Sequence, residues 1–257
     1  MLSLFITSAV IIVVIQMLFF ILAAYFKTDK VTDLSYGLTF VIVSWVIYNN
    51  SLSYGHANFV VPLMVTIWGL RLSGFLFVRI LKTKKDKRFD GIREDFLKFA
   101  KFWLLQGVAI FIIMLPAIVG TAKDGRTFGA ISIFGFLIYL CGVITETIAD
   151  YQKFMFKSDP SNEGKWTNVG LFKYARHPNY FGEILTWWGI YIFAFTTLDG
   201  FEYLTVAGPI FITLLLLFVT GVPPLEIAYE KHYAENKEYQ KYKNSTRLLL
   251  PFPKKIL

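Results

Sequence analysis

The chain is poor in the residues from which most metal and redox sites are built. It holds one cysteine, Cys141, and three histidines, His56, His177 and His232, in 257 residues. A single thiol inside an apolar run forms no intrachain disulfide and no paired-thiol motif, so Cys141 reads as a small core residue. Three histidines this far apart in sequence lack metal-ligand spacing, and no metal is expected. Also missing are a GxGxxG turn after a strand, a phosphate-binding loop and a GxSxG nucleophile elbow, which excludes a soluble dinucleotide fold and argues against a hydrolase. No fixed-period repeat or low-complexity linker divides the chain.

Charge is scarce as well, at 17% of residues, while 55% are hydrophobic and 18% aromatic, with a mean hydropathy of +0.53. Water is not the main solvent of such a chain. Apolar runs occur at 4–26, 34–48, 59–81, 102–120, 128–148, 180–195 and 204–222. Seven runs of this kind predict an all-α polytopic bundle of about seven transmembrane helices in a single domain, 1–257. The second and sixth are short for a bilayer of about 30 Å, so they are expected to extend into polar flanks or pack inside the bundle. The first run lacks a basic leader and a small-residue cleavage site, and is expected to be a retained helix.

A net charge of +8 suits nucleic acid, anionic lipid or a phosphorylated ligand, and the placement of the charges decides among them. The segments 49–58 and 196–203 carry no Lys or Arg, and 121–127 carries only Lys123 and Arg126. The other side holds Lys27, Lys30, eight cations from Lys82 to Lys101, five from Lys153 to Arg176 and seven from Lys231 to Lys255. Positive-inside reasoning therefore places the N-terminus outside and the C-terminus in the cytoplasm, with membrane lipids and no nucleic acid as the partner of the charge. The Lys82–Lys101 segment suits an interfacial helix. Pro223 and Pro224 are expected to end the last span, before a polar helix from Glu226 to Tyr242.

Ionisable groups inside spans cost about 2.5–3.5 kcal/mol each on insertion scales, so they face a partner or a cavity. Asp33 opens the second run, Arg71 lies in the third, Glu146 and Asp150 close the fifth, and Glu183 begins the sixth. Glu146 and Asp150 are four apart and share a helical face with Lys153 and Lys157, which makes a polar stripe. The stripe with Glu183 suggests a ligand-lined cavity, whereas Asp33 and Arg71 equally suit a buried ion pair. In GLFKYARHPNYFGEILTWWG, Pro178 breaks the chain before a helix that Asn179 can cap. Arg176 and His177 in front of that helix N-terminus would hold an anion, or serve as an ordinary basic cap.

ETIADYQKFMF, GLFKYARHPNYFGEILTWWG and LEIAYEKHYAENKEYQKYKNSTRLLLPFPK together resemble the membrane steroid 5-alpha-reductase family, in particular its bacterial branch known as DUF1295. RHPxYxG by itself is shared with isoprenylcysteine carboxyl methyltransferases. The resemblance implies NADPH held by residues of about 140–257, and a hydrophobic enone enclosed by the N-terminal spans. Cofactor roles then fall on Glu146, Asp150, Asn179, Glu183 and Tyr233, with Lys157, Arg176 and His177 as phosphate or ribose contacts. It implies a hydride from NADPH to an activated C=C of a sterol, isoprenoid or other lipid enone, as in a 3-oxo-5-alpha-steroid 4-dehydrogenase. The catalytic positions would be Asp33, Trp68 and Arg71, acting on the carbonyl oxygen. Trp68 stands where the family pattern has tyrosine, keeping an N–H donor without a phenolic proton; Tyr36 or Tyr54 could supply one. The alternative is an S-adenosylmethionine-dependent membrane methyltransferase. A bacterial inner membrane is the expected location.

Overall fold

The computed structural model describes residues 1–52, 58–83, 86, 89–123 and 129–252. Tyr54, His56 and Arg126 lie outside the described residues. Nine α-helices follow in chain order among those described: α1 (Leu2–Tyr25), α2 (Thr32–Leu52), α3 (Val60–Thr83), α4 (Phe96–Ala122), α5 (Ala130–Ser158), α6 (Pro178–Ala194), α7 (Ala207–Phe218), α8 (Val222–Tyr233) and α9 (Lys237–Ser245). Among the described residues, each apolar run falls mainly on helix. Among the described residues, five stretches are long and apolar enough to cross a membrane: α1, Val60–Lys82, α4, α5 and the helical stretch Gly200–Tyr233. Expected as spans, the second and sixth runs fall outside that set. α6 has only 17 residues, and α2 is interrupted by Thr, Ser and Asn along its length.

The chain divides into two compact units, one formed by Met1–Gly135 with Ile190–Gly208 and the other by Phe136–Gly189 with Pro209–Leu257. In the first, α2 packs against α1, α3 and α4. α1 leaves Leu2, Val10, Leu18 and Ile21 more than half exposed, as a helix solvated by lipid does, and buries Ser8 and Gln16 on its packed side. α2 and α3 meet backbone to backbone, because a Cβ on Gly37 would lie 2.7 Å from Gly69 O. Small residues permit such contact where lipid supplies no hydrophobic drive between helices. Polar side chains fasten the other faces: Gln16 Nε2 donates to Thr39 Oγ1 (2.9 Å), and Gln106 Nε2 to Gln16 Oε1 (2.9 Å) and Ser35 Oγ (3.2 Å).

Residues 89–95 form turns, where an interfacial helix was expected. The reason is Arg93, which is 6% exposed. Its Nη1 donates to Asp29 Oδ1 at 2.7 Å and its Nε to Glu94 Oε1 at 3.1 Å, and Nη2 pairs with Asp90. A buried guanidinium needs all its donors paired, and a straight helix would carry it away from these carboxylates. Gly91, with φ of +75°, makes the turn, and Asp95 then caps α4 through the N–H groups of Leu97 and Lys98. Phe89 joins Ala23, Phe99 and Trp103 in the cluster that anchors the segment.

In the second unit, α5 and α6 run antiparallel with glycines at each level of contact. A Cβ on Gly142 would lie 2.5 Å from Thr186 N, one on Gly182 2.6 Å from Glu146 N, and one on Gly189 2.4 Å from Tyr139 N. Pro223 and Pro224 lie in the first turn of α8 and so open a helix, the position where a missing N–H costs nothing. The expected single polar helix is two, α8 and α9, since Asn236 caps the second by accepting from Glu238 N and Tyr239 N. After α9 the chain pairs with the segment before α6: Arg247 N donates to Tyr174 O (3.0 Å), Arg176 N to Arg247 O (2.9 Å) and His177 N to Leu248 O (3.0 Å).

Candidate functional site

The α5–α6 hairpin gathers the polar residues of the second unit. Its glycine register sets Glu146 against Gly182, and one turn further on Asn179 Nδ2 donates to Asp150 Oδ1 at 3.2 Å. Glu146 is 2% and Asp150 8% exposed. Glu183 is four residues beyond Asn179 and therefore lies on the same side of α6. Pro178 suits the first position of α6, because its fixed φ matches the helix. Lys153 and Lys157 continue the α5 face toward Ser158. Carboxylates deep in the hairpin and ammonium groups toward the segment that joins its two helices form one graded stripe.

Arg176 and His177, expected to front that helix as anion ligands, are engaged within the fold. Glu226 Oε1 accepts from Arg176 Nε at 3.0 Å and lies 2.8 Å from His177 Nε2. Arg176 Nη1 also donates to Lys243 O at 2.9 Å. Burial lowers the His177 pKa from its ordinary value against the opposing pull of Glu226. A neutral ring then carries its proton on Nε2 to donate to that carboxylate. Lys157 Nζ bonds Lys165 O. Tyr233, assigned to the cofactor by resemblance, donates to Gly164 O at 2.7 Å and packs on Trp166 and Tyr239. Glu226 was not singled out from the sequence, although two adjacent cations beside an apolar helix called for a carboxylate partner.

Asp33, Trp68 and Arg71 all belong to the first unit. Asp33 Oδ2 accepts from Arg79 Nη2 at 3.2 Å, and Arg79 also lies 3.6 Å from Asp86. Trp68 is fully buried and meets Phe40 edge to face at 5.1 Å and Tyr36 at 6.4 Å. Phe40 is seven residues from Asp33, about 10 Å along the α2 axis. Tyr36 is three residues from Asp33, so the indole spans the α2 levels of both rings. Among the described residues, no group of three His, Cys, Asp or Glu is placed to hold a metal ion.

Residues 19–246 match the family model described as "Protein of unknown function (DUF1295)". A stretch of 46 residues is 44% identical to "Probable O-methyltransferase ustE" of Ustilaginoidea virens, covering 18% of this chain and 16% of that protein. No solved structure matches.

Proposed function

The chain belongs to the DUF1295 family of membrane proteins, and from that premise we propose that it is a membrane oxidoreductase reducing an activated C=C bond of a hydrophobic enone with NADPH. The substrate class is a sterol, an isoprenoid or another lipid enone, the location a bacterial inner membrane, and the C-terminus cytoplasmic. The observation that carries this reading is the graded stripe on α5. Buried Glu146 and Asp150, with Asn179 bonded to Asp150, offer acceptors and an amide for ribose hydroxyls and a carboxamide. Lys153 and Lys157, toward the segment that joins α5 to α6, offer cations for phosphate. A ligand polar but uncharged at one end and multiply anionic at the other fits that order of groups.

When bound, NADPH supplies the hydride to the β-carbon, and the α-carbon takes a proton. The protein's part is to orient the nicotinamide end through Asn179, Glu146 and Asp150, with Glu183 beside them. In the first unit this reading assigns Trp68 and Arg71 to the substrate oxygen, both N–H donors without acceptor atoms of their own. Asp33 accepts from Arg79, so its part is to hold that arginine and not to donate to an oxyanion.

The match to a protein named as an O-methyltransferase favours one other reading, S-adenosylmethionine-dependent methyl transfer. There the carboxylates would meet ribose hydroxyls and an ammonium, and Lys153 and Lys157 would have no phosphate to bind. Thermal unfolding of the purified protein in detergent with NADPH, NADH or S-adenosylmethionine separates the two. A ligand at 100 times its Kd stabilises by about 2.7 kcal/mol. NADPH alone should raise Tm clearly; a rise with S-adenosylmethionine alone would replace the reductase reading with the methyltransferase one.

A further inference from the structure

Away from the α5–α6 stripe, the segment leading to α6 and the helices α8 and α9 enclose a small cavity. Trp166, Thr167, Phe172, Arg176, Tyr229, Tyr239 and Tyr242 line it, the Arg176 guanidinium being held by Glu226 and Lys243 O, and its volume is about 10 Å³. Three residues of this wall carry buried polar atoms with no hydrogen-bond partner in the protein: Trp166 Nε1, Thr167 Oγ1 and Tyr239 Oη. Thr167 is 4% and Tyr239 1% exposed. Neighbouring hydroxyls are satisfied, for Tyr242 donates to Phe172 O (2.8 Å) and Thr167 O (3.2 Å), and Tyr233 to Gly164 O. Buried polar groups in folded proteins are paired with protein or with ordered water, and three orphans around one cavity point to a missing partner.

The chemistry of the wall selects that partner. An indole N–H only donates, so the occupant must accept, which excludes ammonium and metal cations. The Tyr239 pKa is pushed up to about 12, by burial first and then by the Glu226 carboxylate, so its hydroxyl stays protonated and able to donate at neutral pH. Ring centroids lie 5.2 Å apart for Trp166 and Tyr239 and 6.3 Å for Tyr239 and Tyr242. Rings in mutual contact leave no room for a methylated ammonium between them. The volume is that of one water probe, and an internal water typically makes about three hydrogen bonds.

We propose that this cavity is an internal hydration site, in which one water accepts from Trp166 Nε1 and bridges Thr167 Oγ1 and Tyr239 Oη. The water joins α9 to the segment that enters α6, alongside the bonds made by Tyr233 and Tyr242. Docking of the tail helix is therefore completed by solvent, whatever cofactor the hairpin takes.

Thr167→Val and Tyr239→Phe each delete one hydroxyl at nearly constant shape, so thermal unfolding of the full chain in detergent reads the sign. With the water present, each substitution removes one of its partners and lowers Tm by a few degrees, about 2–4 °C. The double variant loses less than the two losses together, because both act through one molecule. In a dry cavity each substitution removes an unsatisfied group, and Tm rises. A rise in both variants, or losses that simply add, overturns the proposal. Should a variant fail to fold, a density map of the wild-type protein that resolves ordered solvent decides. A single peak within hydrogen-bond reach of the three atoms supports the site, and a void or a larger molecule overturns it.

Discussion

Substituting Gly182 by alanine tests whether glycine register builds the α5–α6 site. On helix propensity alone the change should stabilise, by about 0.8–1.0 kcal/mol. The structure predicts the opposite sign. A Cβ at 182 would lie 2.6 Å from Glu146 N and 2.7 Å from both Glu146 Cβ and Gly142 O. Ordinary contact begins about 0.8 Å further out, and two of those neighbours are backbone that cannot rotate away. Overpacking of this kind costs about 1–3 kcal/mol. At roughly 2–4 °C per kcal/mol for a chain of this size, Gly182→Ala should lower Tm by several degrees. Spreading the helices by most of an ångström would also carry the Asn179–Asp150 bond, now 3.2 Å, beyond hydrogen-bond length, so NADPH affinity should fall with it. Gly74→Ala in α3 is the control. A Cβ there meets nothing within 4 Å, and Tm should hold or rise. If differential scanning shows the two variants moving in the same direction, the register does not have the role assigned to it here.

Asn179→Ala and Glu183→Gln should weaken NADPH binding about tenfold or more, as loss of a hydrogen bond to a charged partner does, with smaller effects on Tm; titration by intrinsic fluorescence gives both affinities. Lys153→Gln combined with Lys157→Gln should weaken NADPH but leave S-adenosylmethionine binding unchanged, and loss of the latter would count against phosphate recognition. Arg71→Gln should lower turnover of a suitable enone strongly while cofactor affinity holds, and unchanged turnover would remove Arg71 from the substrate site. His177 has a folded pKa below its unfolded value of about 6.5, so the stability it contributes is full above that value and is lost as pH falls through it toward the folded pKa. Tm measured from pH 7.5 to 5 should decline over that window, and the decline should be shallower in His177→Gln.

Hydropathy is a sum over consecutive residues, and what depends on such sums was legible in the sequence. The all-helical architecture of the described residues, their apolar runs on helices and the short second and sixth runs are of this kind, whereas the expected cap at Asn179 is not: α6 already opens at Pro178 and the Asn179 amide donates to Asp150. The α5 stripe was legible too, because Glu146, Asp150, Lys153 and Lys157 share a face by helical period alone. The partners of the charged groups belong to another class. Arg176 and His177 meet Glu226 some fifty residues on, Asp33 meets Arg79, and Arg93 reaches back to Asp29. Only the register between elements distant in sequence decides such pairs. That register is set by where two backbones can touch, at Gly37 against Gly69 and Gly182 against Glu146. A glycine in a sequence does not say which neighbour it admits. Tertiary packing did, and in doing so it turned two expected anion ligands into anchors of α8 and the tail.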